Sequence, residues 1–262
     1  MNVGNFTRYV AIGDSQTEGV GDGDDVTGLR GWADRLATQV ALANPGLQYA
    51  NLAVRGKLAR QIRAQQLDAA LALEPDLVTV LAGMNDLLRP SFEVDEVAGH
   101  VEAMFAAFAG TGAVVATLTF PDVGRLIPMA RAVRGRVAAM NDRVREAAAR
   151  YGVIVAEAAH HAVVADPRLW SPDRLHASPL GHQRIADALA EALGLPGSDD
   201  AWTRPLFPEL PERNLVQAIA AEFRWAGVAL VPWAVKRVQG RSSGDNRLAK
   251  RPLPLPVDGL TV

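Results

Sequence analysis

Five short runs of aliphatic and β-branched residues, at 9–12, 47–54, 77–81, 113–118 and 153–155, alternate along the chain with longer stretches of mixed character. Apart from Gln48 and Asn51 in the second, the runs are apolar nearly throughout rather than on every second residue, the pattern of strands covered on both faces. The stretches at 32–43, 58–72, 94–109, 130–150 and 179–193 carry apolar residues at helical spacing. In the third of them, Val94, Val97, Val101, Met104, Phe105 and Phe108 fall on one stripe. Strands alternating with helices of this length build βαβ units. The pattern therefore predicts an α/β fold, a parallel sheet with helices on both faces. In such open sheets a ligand site lies beyond the carboxyl ends of the strands.

The grammar changes near residue 195. Residues 195–213 carry Pro196, Pro205, Pro208 and Pro211 with the acidic pair Asp199 and Asp200, and read as an irregular connection. One or two helices are expected at 214–238. The tail from Arg241 holds Ser242-Ser243-Gly244 and then Pro252, Pro254 and Pro256, which predicts an extended or partly disordered segment. The chain thus divides into an α/β body at 1–197 and a C-terminal extension at 198–262. In the extension, Phe223, Trp225, Leu230, Val231 and Trp233 form an apolar cluster. After it come Lys236, Arg237, Arg241, Arg247, Lys250 and Arg251 against one acid, Asp245. The preferred expectation is packing on the body or on a second copy in a homo-oligomer, with peripheral contact to an anionic membrane as the alternative.

Composition removes several functions. There is no cysteine, hence no disulfide framework, thiolate metal site or cysteine nucleophile. A net charge of −2 argues against a nucleic-acid binder, which is basic over its binding face. The opening MNVGNFTRYVAIGDS has no basic stretch leading into an apolar segment. The longest apolar run, 226–235, is broken by Pro232 and falls short of the roughly 20 residues a membrane span needs. The reading is of a cytoplasmic protein.

Candidate chemistry gathers at the strand exits. The first strand leads into Gly13-Asp14-Ser15-Gln16-Thr17-Glu18-Gly19, which sets a serine on a tight turn where the sheet opens. Serine is a weak nucleophile without an adjacent base. Asp173-Arg174-Leu175-His176, just before the last helix of the body, offers one. An aspartate three residues ahead of a histidine can accept from Nδ1–H and leave Nε2 for a serine. Gly56 after the second strand and Asn85 after the third supply a backbone N–H and a side-chain amide, the donor types that hold an oxyanion.

Taken in order, GDSQTEG, Gly56 in NLAVRGK, GMND and DRLH resemble the four signature blocks of the GDSL/SGNH esterase–lipase family, over about residues 8–194. The resemblance implies a flavodoxin-like three-layer α/β/α sandwich with a five-stranded parallel sheet, to which this chain adds its C-terminal helical extension. It further implies Ser15 as nucleophile, Asp173 as triad acid and His176 as base. The N–H groups of Ser15 and Gly56 and the Asn85 amide would form the oxyanion hole. The implied activity is hydrolysis of carboxylic esters of small or short-acyl substrates through an acyl-serine, with no metal and no cofactor. An acyltransferase using the same acyl-serine, a lysophospholipase and a thioesterase are its enzymatic alternatives. A flavodoxin-like binding module is the non-enzymatic one, and the Gly13 turn lacks the Ser/Thr-rich phosphate loop that module wants.

The remaining candidates read as structural. His160 and His161 have no further ligand at metal spacing. His182 supports the last helix. The acidic loop 21–25 lacks the spacing of a calcium loop and reads as a solvated rim. The loop 121–129 is the expected acyl-pocket wall, through Leu126, Ile127 and Met129, with Val123 beside them.

Overall fold

In chain order the elements are β1 (Arg8–Gly13), α1 (Ser15–Glu18), β2 (Gly23–Asp24), β3 (Gly28–Leu29), α2 (Trp32–Ala43), β4 (Gln48–Asn51), α3 (Ala59–Leu71) and β5 (Leu77–Leu81). Then come α4 (Met84–Leu87), α5 (Val94–Ala109), β6 (Val114–Leu118), α6 (Arg134–Tyr151), β7 (Ile154–Ala156), α7 (Pro179–Ala192) and β8 (Arg251–Pro256). These are taken from a computed structural model, which describes residues 5–122, 124, 128–210, 225, 227 and 244–257.

The main sheet runs β7-β6-β5-β1-β4-β8. Its first five members are parallel, and β8 lies antiparallel on β4. Helices α2 and α7 pack together, and α3, α5 and α6 pack together, giving a layer on each side of the sheet. The core between the layers is continuous, with Tyr9 and Tyr49 stacked at 5.0 Å on neighbouring strands. From β1 the chain steps to β4 on one side and then crosses to β5 on the other. That reversal opens a crevice at the carboxyl ends of β1 and β5, the position where open α/β sheets bind ligands.

The sixth strand corrects the five-stranded expectation. Its sequence, Arg-Pro-Leu-Pro-Leu-Pro, reads as an irregular tail because proline cannot donate to a ladder. Prolines on every second residue, however, place all the missing N–H groups on one side of the strand. The N–H groups of Arg251, Leu253 and Leu255 remain for β4, and the far side is left without donors, so the sheet ends there. Neighbouring basic residues fasten this strand. Lys250 reaches the buried Asp34, Arg251 Nε donates to Tyr49 O at 2.8 Å, and Arg247 pairs with Asp25. Of the helices expected at 214–238, only Trp225 and Gly227 are among the described residues.

Two buried carboxamides hold the strand exits. Gln66 of α3 accepts from Gly13 N and donates to Gly13 O, both at 2.9 Å. Asn141 of α6 does the same for Phe120, both at 2.8 Å. Gly13 must be glycine, since a Cβ would lie 2.3 Å from Thr17 Oγ1 and 2.7 Å from Leu81 O. On the other face Ser178 caps α7, its Oγ accepting from Gly181 N at 3.1 Å with Pro179 in the first turn. The His182 ring, expected as a support for this helix, accepts from Trp32 N at Nδ1 and donates from Nε2 to Val20 O, both at 3.1 Å. Burial pushes its pKa down to about 4. Among the described residues no helix is long and apolar enough to cross a membrane.

Candidate active site

Ser15 opens α1, two residues beyond the end of β1, and is nearly buried. His176 lies 161 positions away on the loop that leads into α7, and the fold brings the two together: Ser15 Oγ is 2.9 Å from His176 Nε2. The other ring nitrogen, Nδ1, is 2.6 Å from Asp173 Oδ2. Asp173 Oδ1 also accepts from Ser171 Oγ (2.6 Å), Leu175 N (2.9 Å) and His176 N (3.0 Å). Burial alone would raise the Asp173 pKa. The His176 hydrogen bond and charge, with the backbone and Ser171 donors, outweigh it and hold the carboxyl well below the usual range. An ionised carboxylate only accepts, so in the neutral ring the proton sits on Nδ1 and Nε2 faces the serine hydroxyl as an acceptor. The turn is tight enough that Arg174, between the acid and the histidine, takes a left-handed φ of 58°. Its guanidinium lies 5.2 Å from the Trp225 ring centre, and Trp225 Nε1 donates to Asp173 O at 2.8 Å.

Asn85, on α4 at the end of β5, reaches both neighbouring loops. Its Nδ2 donates to Asp14 Oδ2 and to Lys57 O, each at 3.0 Å. Asp14 immediately precedes Ser15 and Lys57 immediately follows Gly56, so this one amide links all three exits. Gly56 sits in the left-handed region at φ 75°, where glycine is unstrained. The residue before it, Arg55, is locked on Glu18 at the end of α1. Its N–H donates to Oε2 at 2.6 Å and its Nη2 to Oε1 at 2.7 Å. Asp14 itself is buried at 2% exposure. Burial pushes its pKa up to about 7, against the lowering effects of the Gln16 N–H, the His176 charge and the Asn85 amide.

Behind this row lies an apolar cavity of about 80 Å³. Asp14 and Gln16 form its wall toward the serine, with Leu118, Phe120, Leu169 and Ile185 among its other lining residues. Of the residues expected to wall an acyl pocket, Leu126 and Ile127 lie outside the described residues, as does Val123. The backbone of Met129 lies in a 3-10 helix, Pro128–Val133. His161 packs edge-on against Trp202 at 4.7 Å, and His160 Nε2 is 3.1 Å from Arg145 Nη2. The loop 21–25 is not simply a solvated rim. Asp22 pairs with Arg35, Asp24 accepts from Val26 N and Thr27 N, and Asp25 pairs with Arg55 and Arg247.

Residues 11–184 match the model of the GDSL-like lipase/acylhydrolase family. The chain belongs to this family. As a member it is a serine ester hydrolase acting on small-molecule esters. No curated protein matches it in sequence. Solved structures do match in fold. LAE5, an alpha/beta hydrolase from the metagenome of Lake Arreo, is 24% identical over 72% of this chain and 95% of its own, with a TM-score of 0.61. Axe2, an acetylxylan esterase from Geobacillus stearothermophilus, is 20% identical over 78% of this chain and 99% of its own, with a TM-score of 0.61. A putative GDSL-like lipase from Parabacteroides merdae is 20% identical over 72% and 96%, with a TM-score of 0.62. Variants of Axe2 that replace one serine, one aspartate or one histidine by alanine are described as catalytic mutants of that enzyme.

Sequence reasoning missed the residues that hold this GDSL-like site in place: Gln16, Gln66, Glu18 and Asn141. Gln66 and Asn141 are visible only as polar interruptions in the buried faces of α3 and α6.

Proposed function

We propose that this GDSL-like hydrolase is a serine esterase in which Ser15 is the nucleophile, His176 the general base and Asp173 the residue that orients and charges-balances the ring. The observation that carries the reading is the unbroken relay from Ser15 Oγ through His176 to Asp173, at 2.9 and 2.6 Å. Ser15 Oγ attacks the ester carbonyl carbon while its proton passes to Nε2. The resulting imidazolium faces a carboxylate that its surroundings keep ionised. The N–H groups of Ser15 and Gly56 and the Asn85 amide are the oxyanion donors. The first N–H groups of a helix have no partner within it, which suits the start of α1 for this task. Both Asn85 hydrogens are engaged with Asp14 and Lys57, so Asn85 turns or shares one of them as the oxyanion forms. His176 then protonates the departing alcohol, and water, deprotonated by the same ring, releases the acid from the acyl-serine.

Short acyl groups fit best. The apolar cavity beside Asp14 and Gln16 has about 80 Å³, roughly half the engineered cavity that takes a benzene ring, hence room for about three or four carbons. Axe2, whose substrates carry acetyl groups by its name, fits the same small end. Hydrolysis of p-nitrophenyl esters from acetate to octanoate tests this. Turnover should peak at or below butanoate and fall by at least about tenfold at octanoate, since a chain longer than the cavity must displace packed side chains at a cost of about 1–3 kcal/mol. Ser15→Ala and His176→Ala should reduce it to background. Wild-type protein that is folded and turns over none of the series would contradict the proposal.

A further inference from the structure

The fourth residue of the Gly13-Asp14-Ser15-Gln16 block departs from the leucine that the family name spells. We infer that Gln16 is a positioning residue for His176, an inference that rests on the esterase reading above. The side chain of Gln16 leaves α1 one residue after the nucleophile and crosses to the base's loop. There its Nε2 donates to Leu175 O at 2.7 Å and its Oε1 accepts from Ala177 N at 3.3 Å. These are the backbone groups on either side of His176.

The remaining backbone groups at this point face the opposite way. His176 N donates to Asp173 Oδ1 at 3.0 Å, and His176 O accepts from Ser171 N at 2.8 Å. In an extended segment the N–H and C=O of one residue point to one edge, and the C=O before it and N–H after it point to the other. His176 is therefore held along both edges. The 171–173 turn holds one edge and the Gln16 carboxamide stands in for a neighbouring strand on the other. Gln66 and Asn141 also grip backbone at two points, through the N–H and C=O of a single residue, Gly13 and Phe120, so carboxamide clamps recur at this end of the sheet. What sets Gln16 apart is that it ties the nucleophile's helix directly to the base's backbone. A second approach supports the same docking: a Cβ on Gly21 would lie 2.1 Å from Ala177 O and 3.3 Å from His176 Cβ.

The chemistry needs this because the Ser15–His176 hydrogen bond joins elements 161 positions apart in the chain, whose register rests on a few such contacts. A displacement of about 1 Å can cost about 10²-fold in rate. Leucine at this place has no group to offer Leu175 O or Ala177 N, and methionine matches glutamine in length with neither a strong donor nor a strong acceptor.

The test is Gln16→Met in the full chain, measured three ways. The first is kcat and KM on p-nitrophenyl acetate. The second is the rate of Ser15 labelling by a fluorophosphonate, and the third is the downfield proton NMR signal of His176 Nδ1–H. The inference expects kcat and labelling to fall together by about 10- to 100-fold with KM changed less than about threefold, and the downfield proton to broaden through exchange with water. Gln16→Glu, which keeps the acceptor and loses the donor, should also lower kcat and serves if the methionine variant does not fold. A folded methionine variant with wild-type kcat, labelling rate and downfield signal would overturn it. Should the wild-type protein take no fluorophosphonate, the esterase reading fails, and the NMR comparison alone decides whether Gln16 holds the histidine.

Discussion

Two aspartates flank the Ser15–His176 pair, and their surroundings drive them in opposite directions. Asp173 is met by four donors, including the ring it supports, and they overcome the effect of burial to keep it ionised. Asp14 is more deeply buried and, among the described residues, receives only the Gln16 N–H and the Asn85 amide, so burial wins and its pKa rises to about 7. The same side chain thus serves two purposes, and the number of donors decides which. In the proposed mechanism Asp173 keeps a charge where the imidazolium forms. Asp14 braces the Ser15 turn and holds the Asn85 amide, while adding less negative charge where the proposed mechanism places an oxyanion.

The sharpest way to break this contrast is Asp173→Asn. It keeps the shape and removes the charge, and the amide would favour the wrong ring tautomer. On the proposed mechanism kcat falls by about 10³–10⁴, read from steady-state hydrolysis of p-nitrophenyl acetate. A loss under about tenfold would show that the charge of Asp173 is not what activates the ring. Asn85→Ala probes the other side. Removing one oxyanion donor should lower kcat by about 10²–10³ with a much smaller change in KM. An Asn85→Ala enzyme with wild-type kcat would remove Asn85 from the proposed oxyanion hole.

The smallest effect concerns stability rather than rate. Asp14 has a folded-state pKa of about 7 against about 3.9 in an unfolded chain. For an acid shifted upward, the folded state binds the proton more tightly. The stabilisation this group gives is therefore complete below the unfolded value and is lost as the pH rises through 4 to 7. At pH 8 the loss amounts to about 4 kcal/mol. Asp14→Asn carries no such titration. Denaturant unfolding at pH 4.5 and pH 8 should show the variant gaining several kcal/mol on wild type across that interval, and parallel behaviour of the two proteins would refute the buried neutral carboxyl.

The sequence made the repeating parts of the fold legible because they are long and periodic. The helices at 32–43 and 94–109 and the strand at 77–81 coincide with α2, α5 and β5, since an apolar stripe or run has no other stable use there. The second strand is shorter than its apolar run suggests, ending at Asn51 rather than at 54. Residues 52–54 already belong to the approach to Gly56. Helices α1 and α4, four residues each, are too short to leave a periodic trace, though they carry Ser15 and Asn85. Strand β8 was hidden because its prolines signal irregular chain unless one notices that they share a side. At the site, the motif residues could be named from their order alone. Gln16, Gln66 and Asn141 could not, because a lone carboxamide in a mostly apolar stretch becomes meaningful only when its two backbone partners, far away in sequence, come into view.

The central claim is that His176 and Asp173 make Ser15 a nucleophile. The most direct measurement is intact-mass analysis after exposure to a fluorophosphonate, with Ser15→Ala and His176→Ala treated alongside. A single adduct on the wild-type chain, absent from the serine variant and slowed by orders of magnitude in the histidine variant, is the expected result. A wild-type chain that stays unmodified while folded, or an adduct that persists in Ser15→Ala, would contradict the claim.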